Sequence, residues 1–556
     1  MKLRSFLFIL AAGVLLLLSL AGGSFYWVLA QSPLNLLGGG IDKTPTAAMF
    51  VAKQSPVMVS LLVNPDRLEA FRELAAPLGE RRRAIAEIDQ LKQNLLAKTG
   101  LNYRKDIQPW LGDEMTLAVT SLDFDRNREN GTQPGYLLVL STKDGELARE
   151  FLQLSYSKQA IAGTFDLVFE QYQGVNVIYK RYLQSQPNSN LLASAVVDNF
   201  VIFANDPKVL REAINNVQVQ EGNLENTESY QEALKTIVAP RIGVAFINLP
   251  SLSAWLGDRP EPETADIEQT IAVALSLQPE GLSARTALIG VAGEANQKPS
   301  LSEPVGALAY VPSESILTAA GSDLNQFWTQ IATGLEFDSP LQQLLQKSLL
   351  RLQEPWGIDF TENIFPWVKG EYAIALLSNP KTNQLDWVFA AEKRADANAE
   401  AAIDRLDEIA KTQGLSVGSL PLKEKEITAW TKLSTEAKNS LVSLDAKVKG
   451  AHLDLGKYEI FATSIEALSQ AIEGGEESLA GSDKFSQAIA ALPRENDGYF
   501  YIDWLQSEAL VQKKVPLIKV VELAGQPLFN HLRSLVLSSQ GSENGIRRAT
   551  IFFKLE

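Results

Sequence analysis

Cysteine is absent from this chain, and histidine occurs only at His452 and His531 among 556 residues. Without thiols there can be no disulfides, no thiolate catalysis, no Cys-type zinc site and no iron–sulfur cluster, so the fold must hold by packing. Two histidines leave little for metal or general-base chemistry. His452 stands in the alternating GAHLDLG and His531 in LFNHLRSL, which reads as a helix, and neither has a second histidine at ligand spacing. No P-loop and no dinucleotide fingerprint occurs, so no cofactor is implied. Positive charge is also short: 51 Lys and Arg face 66 Asp and Glu, a formal net charge of −15. That balance opposes nucleic-acid backbones and anionic lipid surfaces, and no nucleic-acid partner is expected.

What is present begins with a membrane signal. After Lys2 and Arg4 the chain runs uncharged and apolar from Phe6 to Ala30. At roughly 1.5 Å per residue this is long enough to cross a hydrocarbon core of about 30 Å, whereas the apolar part of a cleaved signal usually covers about 7 to 15 residues. An uncleaved signal anchor over residues 1–31 is therefore predicted, its basic start in the cytoplasm and everything after Gln31 exported. The alternative is cleavage after Val28, Leu29 and Ala30, which would release a soluble protein on the same side. The remainder, in a chain that is 46% hydrophobic, 21% charged and 8% aromatic, has enough apolar material for substantial cores.

The chain also repeats itself. GLNYRKDIQPWLGDEMTLAV from Gly100 and GIDFTENIFPWVKGEYAIAL from Gly357 align without a gap at an offset of 257 (357 minus 100), pairing Pro109 with Pro366, Trp110 with Trp367 and Glu114 with Glu371. Further on, NFVIFANDPKVLREAI from Asn199 matches KYEIFATSIEALSQAI from Lys457, at 258 (457 minus 199), and GVAFIN from Gly243 matches GYFYID from Gly498, at 255 (498 minus 243). Collinear matches at near-constant spacing predict a tandem duplication of one large unit, with the drift absorbed in loops. The period is too long for a solenoid, so residues 32–296 and 303–556 are expected to form two domains, each with its own core and joined in the polar GEANQKPSLSEP.

In the first copy AMFVA, MVSLLV, EMTLAVTSL, GYLLVLST, FDLVFEQY, VNVIYKRY, LLASAVV, FVIFAN, GVAFINL, IAVALSLQ and LSARTALIGV read as strands. Helices are expected from about Asp66, over 81–98, after Lys143 and after Asp206, and in the second copy after Ser339 with Pro340 at the first helical position. Short strand-to-strand links favour antiparallel pairing. The predicted class is α+β: a transmembrane helix, then two tandem domains, each a largely antiparallel sheet packed with helices. In the repeated motif a helix ends near the Gly, a loop carries Pro-Trp, and Glu114 or Glu371 starts a strand. Such a tryptophan can cover the end of a core while its indole N–H finds a carbonyl. The functional alternative is a paired binding surface made of Pro109, Trp110, Glu114 and Pro366, Trp367, Glu371.

Two apparent sites fail on context. GLSVG from Gly414 fits the nucleophile-elbow pattern with Ser416 as nucleophile, but a helix leads into it where the elbow needs a strand, and Gly414 reads as a helix C-terminal cap. The acidic DFDRNRENG from Asp123 resembles a calcium loop, yet Arg128 stands where Gly is required and Pro134 where Glu is required, so it reads as a solvated hairpin loop.

The basic start, the span ending FYWVLA, the segment TPTAAMFV followed by SPVMVSLLVNPDRLEAF, and the twin Pro-Trp corners together resemble a family of cyanobacterial membrane-anchored proteins of unknown function. The resemblance implies a cyanobacterial cell, with the body in the thylakoid lumen or periplasm. The expected function is a non-enzymatic binding or assembly protein that presents surfaces to membrane complexes, those of photosynthesis among them. A carrier of lipid or pigment in an apolar cavity is the alternative, and a serine hydrolase using Ser416 a weaker one.

Overall fold

The computed structural model describes residues 36, 38–64, 66–67, 103–127, 129, 131–160, 165–182, 193–237, 240–257, 269–278, 280–290, 301–334, 349–350, 353, 357–379, 384–438, 441–508 and 531–555. The expected anchor, the helix over 81–98 and the start of the helix at Ser339 lie outside these residues, while Leu349, Leu350 and Gln353 near the end of that last segment are helical. Among the described residues no helix is long and apolar enough to cross a membrane. The chain passes from one compact unit to a second at Gly290–Val291.

The first unit contains β1 (Val57–Leu61), β2 (Leu111–Ser121), β3 (Gly135–Thr142), β4 (Phe165–Tyr172), β5 (Val175–Tyr182), β6 (Ala193–Val197), β7 (Phe200–Ala204), β8 (Gly243–Asn248), β9 (Thr270–Gln278) and β10 (Gly281–Ile289). They pair in the order β4-β5-β6-β7-β3-β2-β1-β8-β9-β10, antiparallel throughout. Helix Gly145–Ala160 contributes Ala148, Leu152 and Tyr156 to a core with Trp110, Ile178 and Phe203. Helix Pro207–Gln218 buries Val209, Leu210, Ala213 and Ile214, a spacing of one, three and one that keeps them on one face. Its N-cap Asp206 accepts from the Lys208 N–H at 2.7 Å and Pro207 opens the first turn. Strand β8 is buried along its whole length, so GVAFIN carries apolar residues toward both faces of its sheet.

The second unit contains β11 (Leu317–Gly321), β12 (Tyr372–Asn379), β13 (Gln384–Glu392), β14 (Ser416–Leu422), β15 (Lys425–Lys438), β16 (Leu441–Asp454), β17 (Tyr458–Ala462), β18 (Gly498–Asp503), β19 (Leu532–Glu543) and β20 (Ile546–Leu555). Their order is β14-β15-β16-β17-β13-β12-β11-β18-β19-β20, again antiparallel throughout and step for step the order of the first unit. Strand alternation supplies two cores. Phe389 and Phe461 join Trp367, Ile403, Leu406 and Trp430 on one face, while Val388, Ala390, Ile460 and Ala462 join Leu468 and Ala471 of helix Ile465–Glu473 on the other. Hairpin β19–β20 turns through Asn544 and Gly545, both at positive φ, as a two-residue turn between right-twisted strands requires.

Three expectations are corrected. AMFVA is not a strand: Ala47–Phe50 is a 3-10 helix. Its buried Ala47 and Phe50 lie three apart, and a carboxylate from β2 holds its first N–H groups. Leu532 to Leu535 of LFNHLRSL belong to β19, not to a helix. The buried residues there are Leu532, Ser534, Val536 and Ser538, an alternation hidden in the sequence because two of them are serines. Finally, Glu371 immediately precedes β12, but Glu114 does not start β2. It is the fourth residue of that strand, where the pairing with β3 shifts register.

Candidate functional site

The repeated motif builds the same corner in each unit. Pro109 and Pro366 are exposed, whereas Trp110 and Trp367 are 1% and 3% exposed. Each indole N–H donates to the carbonyl four residues back, Trp110 to Asp106 at 2.6 Å and Trp367 to Asn363 at 3.1 Å. A large ring is thereby buried without stranding its one polar group. The two tryptophans form core rather than surface, whereas Pro109 and Pro366 face solvent.

The glutamates tie these corners to residues far away in sequence. Glu114, 7% exposed, accepts from the N–H of Thr46 at 3.0 Å, the N–H of Ala47 at 2.8 Å and the hydroxyls of Thr46 and Thr116 at 2.5 and 3.2 Å. Glu371 accepts from the N–H of Gly306 at 2.8 Å and the hydroxyl of Tyr458 at 2.5 Å. In both units the carboxylate satisfies free N–H groups at the start of a 3-10 helix, Ala47–Phe50 or Gly306–Tyr310. Burial, followed by the hydrogen bond and negative charge of Glu371, holds the Tyr458 hydroxyl far above the usual phenol range.

Beside the first corner lies a groove of about 1120 Å³ whose walls include Pro109, Gly112 and Glu114. Four basic and four acidic side chains line it. Asp113 stands 3.3 Å from the Lys43 ammonium and 3.7 Å from the Arg67 guanidinium, and the Lys143 ammonium donates to the Gln108 carbonyl at 3.1 Å. The groove is charged and mixed in sign, a lining that suits a polar partner rather than an aliphatic tail.

The second unit has a cluster that the sequence did not disclose. His452 of β16 is 6% exposed; its Nδ1 lies 2.6 Å from Glu459 of β17 and its Nε2 3.2 Å from Asp407 of helix Ala399–Thr412. The Trp430 indole N–H donates to the same Asp407 oxygen at 2.6 Å, and the Lys393 ammonium is 3.7 Å from Glu459 and 2.6 Å from Asp454. Burial works against a charged ring here, but hydrogen bonds to Asp407 and Glu459, and their charges, outweigh it and raise the imidazole to about 9. Asp407 is held below the usual carboxylate range: its burial is outweighed by hydrogen bonds from His452 and Trp430. The arrangement stores a proton on His452 and stitches one helix to three strands. The three groups come from positions 407, 452 and 459, a spacing no local motif records. The available signal was a lone histidine on an alternating strand beside Asp454 and Glu459.

A family model described as a protein of unknown function, DUF3352, matches residues 10–555, nearly the whole chain. The chain belongs to the DUF3352 family. No curated protein matches it. A solved chain titled "Structure of crystal form I of TP0453" aligns with 46% of this DUF3352 chain and 83% of its own length at 9% identity, with a TM-score of 0.25, too low to bear on fold or function.

The other sequence candidates of this DUF3352 protein fall as follows. Ser416 opens β14 after helix Ala399–Thr412, with Gly414 at φ +79° between them, so the order is helix, turn, strand. Among the described residues no group of three or more His, Cys, Asp or Glu is placed to hold a metal ion. In the loop after β2, Asp125 accepts from the Asn127 N–H at 2.9 Å and Asp123 from the Gln133 N–H at 3.3 Å, ordinary turn contacts. The anchor flanks Lys2, Arg4, Phe6 and Ala30 lie outside the described residues.

Proposed function

We propose that this DUF3352 protein is a non-enzymatic binding and assembly protein, anchored by Phe6–Ala30 with its two units on the exported side of the membrane. The uncharged run behind Lys2 and Arg4 supports the anchor and its direction. The resemblance to cyanobacterial anchored proteins supports a thylakoid-lumenal or periplasmic setting. The observation that carries the binding role is the charged groove beside the Pro109–Trp110 corner. Its walls are fixed by the Trp110 indole bond and the Glu114 cap, and its mixed charges suit a partner protein's polar surface. We further read the two units as products of an internal duplication. Their shared strand order, the indole bond to the fourth residue back, and the glutamate at the 3-10 helix support this.

The test is purification of the full chain from its native membranes in mild detergent, wild type beside the double variant Arg67→Glu, Asp113→Lys. A defined membrane protein retained in fixed ratio by the wild type and lost by the variant is the expected result. Mass spectrometry finding only bound lipid or pigment would favour a carrier. A hydrolytic activity abolished by Ser416→Ala would overturn the non-enzymatic role. Release of the chain by alkali would remove the anchor.

A further inference from the structure

A cavity of about 290 Å³ lies between helix Gly145–Ala160 and strands β5 and β6 of the first unit. The helix contributes Arg149, Leu152 and Gln153, three and four residues apart and so on one face. The register pairs Ile178 with Ser194, which puts Asn176, Ile178, Ser194 and Val196 on one face of the two strands, the face on which Ile178 shares a core with Leu152. The pairing of β5 with β6 covers three residues of each strand and stops at Val177 and Ala195, although β5 begins at Val175 and β6 ends at Val197. The cavity lies at that end, with Val175 and Val197 among its walls. One polar group on its inner side is orphaned. Ser194 is fully buried, and among the described residues its hydroxyl has no hydrogen-bond partner. The Tyr156 hydroxyl on the helix is near it but outside hydrogen-bond geometry. A buried hydroxyl in that state is destabilising until a partner reaches it.

The second unit shows what the same layer holds when the chain fills it. Ser194 and His452 each face a phenylalanine on the next strand, Phe203 or Phe461. On the other side each is paired, with Ile178 or Thr428, and two residues further along that strand stand Lys180 and Trp430. His452 and Trp430 bring two heteroaromatic rings, 5.9 Å apart, between the strands and helix Ala399–Thr412, and both lie within hydrogen-bond distance of Asp407 on that helix. In the first unit a hydroxymethyl group stands in place of the imidazole, and the Lys180 ammonium lies over the Tyr156 and Phe165 rings. Neither heteroaromatic ring has a counterpart there.

We propose that the first unit binds a small planar heteroaromatic molecule in this cavity, its ring between Leu152 and Val196 and its hydrogen-bonding edge on the Ser194 hydroxyl. The size agrees: an apolar cavity of about 150 Å³ accepts benzene, so one about twice as large takes a two-ring molecule. The rim selects no net charge, since it carries Arg149 and Asp198 together and Arg149 already lies 2.5 Å from Glu146. The site shares no residue with the groove beside Pro109 and does not depend on it.

Indole is the probe, and indene, the same shape without the N–H, is its control. Each is titrated into the full chain in mild detergent with methyl-labelled leucine, isoleucine and valine, and the Leu152, Ile178 and Val196 resonances report on this cavity. The expected result is a saturable shift of those methyls with indole. Ser194→Ala should raise the half-shift concentration of indole roughly three- to tenfold, the worth of one hydrogen bond, and leave that of indene unchanged. Partitioning into detergent cancels in each ratio. Gln153→Trp, at the mouth on an exposed position of the helix, should block both probes with the unfolding midpoint unchanged. Absence of a saturable shift with indole would overturn the proposal. So would an indole response that Ser194→Ala leaves intact, meaning a dry apolar hole, or one that survives Gln153→Trp, meaning that the probe sits elsewhere. The wild-type and Ser194→Ala titrations decide the matter even if the tryptophan variant fails to fold.

Discussion

Trp110 and Trp367 stand at the same step of the same strand order, yet the layer beyond each ring is different. Trp110 lies against Phe151, ring centres 5.6 Å apart, on helix Gly145–Ala160. Trp367 begins a chain of rings: Phe461 at 6.4 Å, His452 at 5.3 Å from Phe461, and Trp430 at 5.9 Å from His452. In the first unit Ser194 faces Phe203 across β6 and β7; in the second His452 faces Phe461 across β16 and β17. Backbone-directed devices, the indole bond and the glutamate cap, are common to both corners. The side-chain layer is not, since a buried serine and a buried charged clamp are alternative ways to fill one position. What is shared is what the chain path requires, and what differs is what packing and local electrostatics can exchange.

The sharpest way to break this comparison is to remove each ring. Trp110→Ala and Trp367→Ala should each destabilise their own unit by about 3–5 kcal/mol, since both leave a large cavity and an orphaned carbonyl. Denaturant unfolding followed by hydrogen exchange would assign the loss to a unit, and a small loss for either ring would end the equivalence of the corners. The glutamates should follow. Glu114→Ala strands two backbone N–H groups and two hydroxyls and should cost roughly 2–3 kcal/mol, against about 1–2 for Glu371→Ala, which frees one N–H and one phenol.

The His452 clamp should distinguish the units by pH. The folded ring holds its proton to about 9, above the ordinary histidine value of 6.5. Its extra stability is therefore full below pH 6.5 and is lost as pH rises toward 9, by at most about 3 kcal/mol. Unfolding midpoints of the second unit should fall across that window, and His452→Gln should flatten the profile while leaving the first unit unaffected. A wild-type profile that rose over the same window would refute the clamp.

The smallest contrast concerns the ion pairs that link each edge hairpin to a helix. Arg211 holds Glu170 through two hydrogen bonds, at 2.7 and 3.0 Å, and lies about 6 Å from the rings of Tyr172 and Tyr179. Arg211→Lys should cost on the order of 1 kcal/mol because a lysine cannot make the paired contact. In the second unit Lys423 pairs with Glu473 in the open. Glu473→Gln should leave thermal unfolding unchanged.

Much of this was legible because its causes are local. MVSLLV, FVIFAN and GVAFIN alternate or run apolar for a strand's length, and Asp206-Pro207 announces a helix start. Gly414 after a helical run told against Ser416 as a nucleophile. AMFVA deceived because a short apolar run reads alike as strand or 3-10 turn, and the deciding partner, Glu114, lies 67 residues from Ala47. His452 looked solitary because Asp407 is 45 residues distant. Periodicity reports which way a residue faces, and the fold alone reports what it meets there.

Among the described residues β1 is the first strand made in its unit, yet it sits between β2 and β8, and β11 likewise sits between β12 and β18. A chain emerging from a ribosome or a translocation pore must therefore carry an open seam in the middle of each sheet until β8, or later β18, arrives to close it. Neither sheet can be finished in instalments. A stop or proteolytic cut ahead of β8 would leave β1 as a bare, apolar margin, where mispairing with another chain begins.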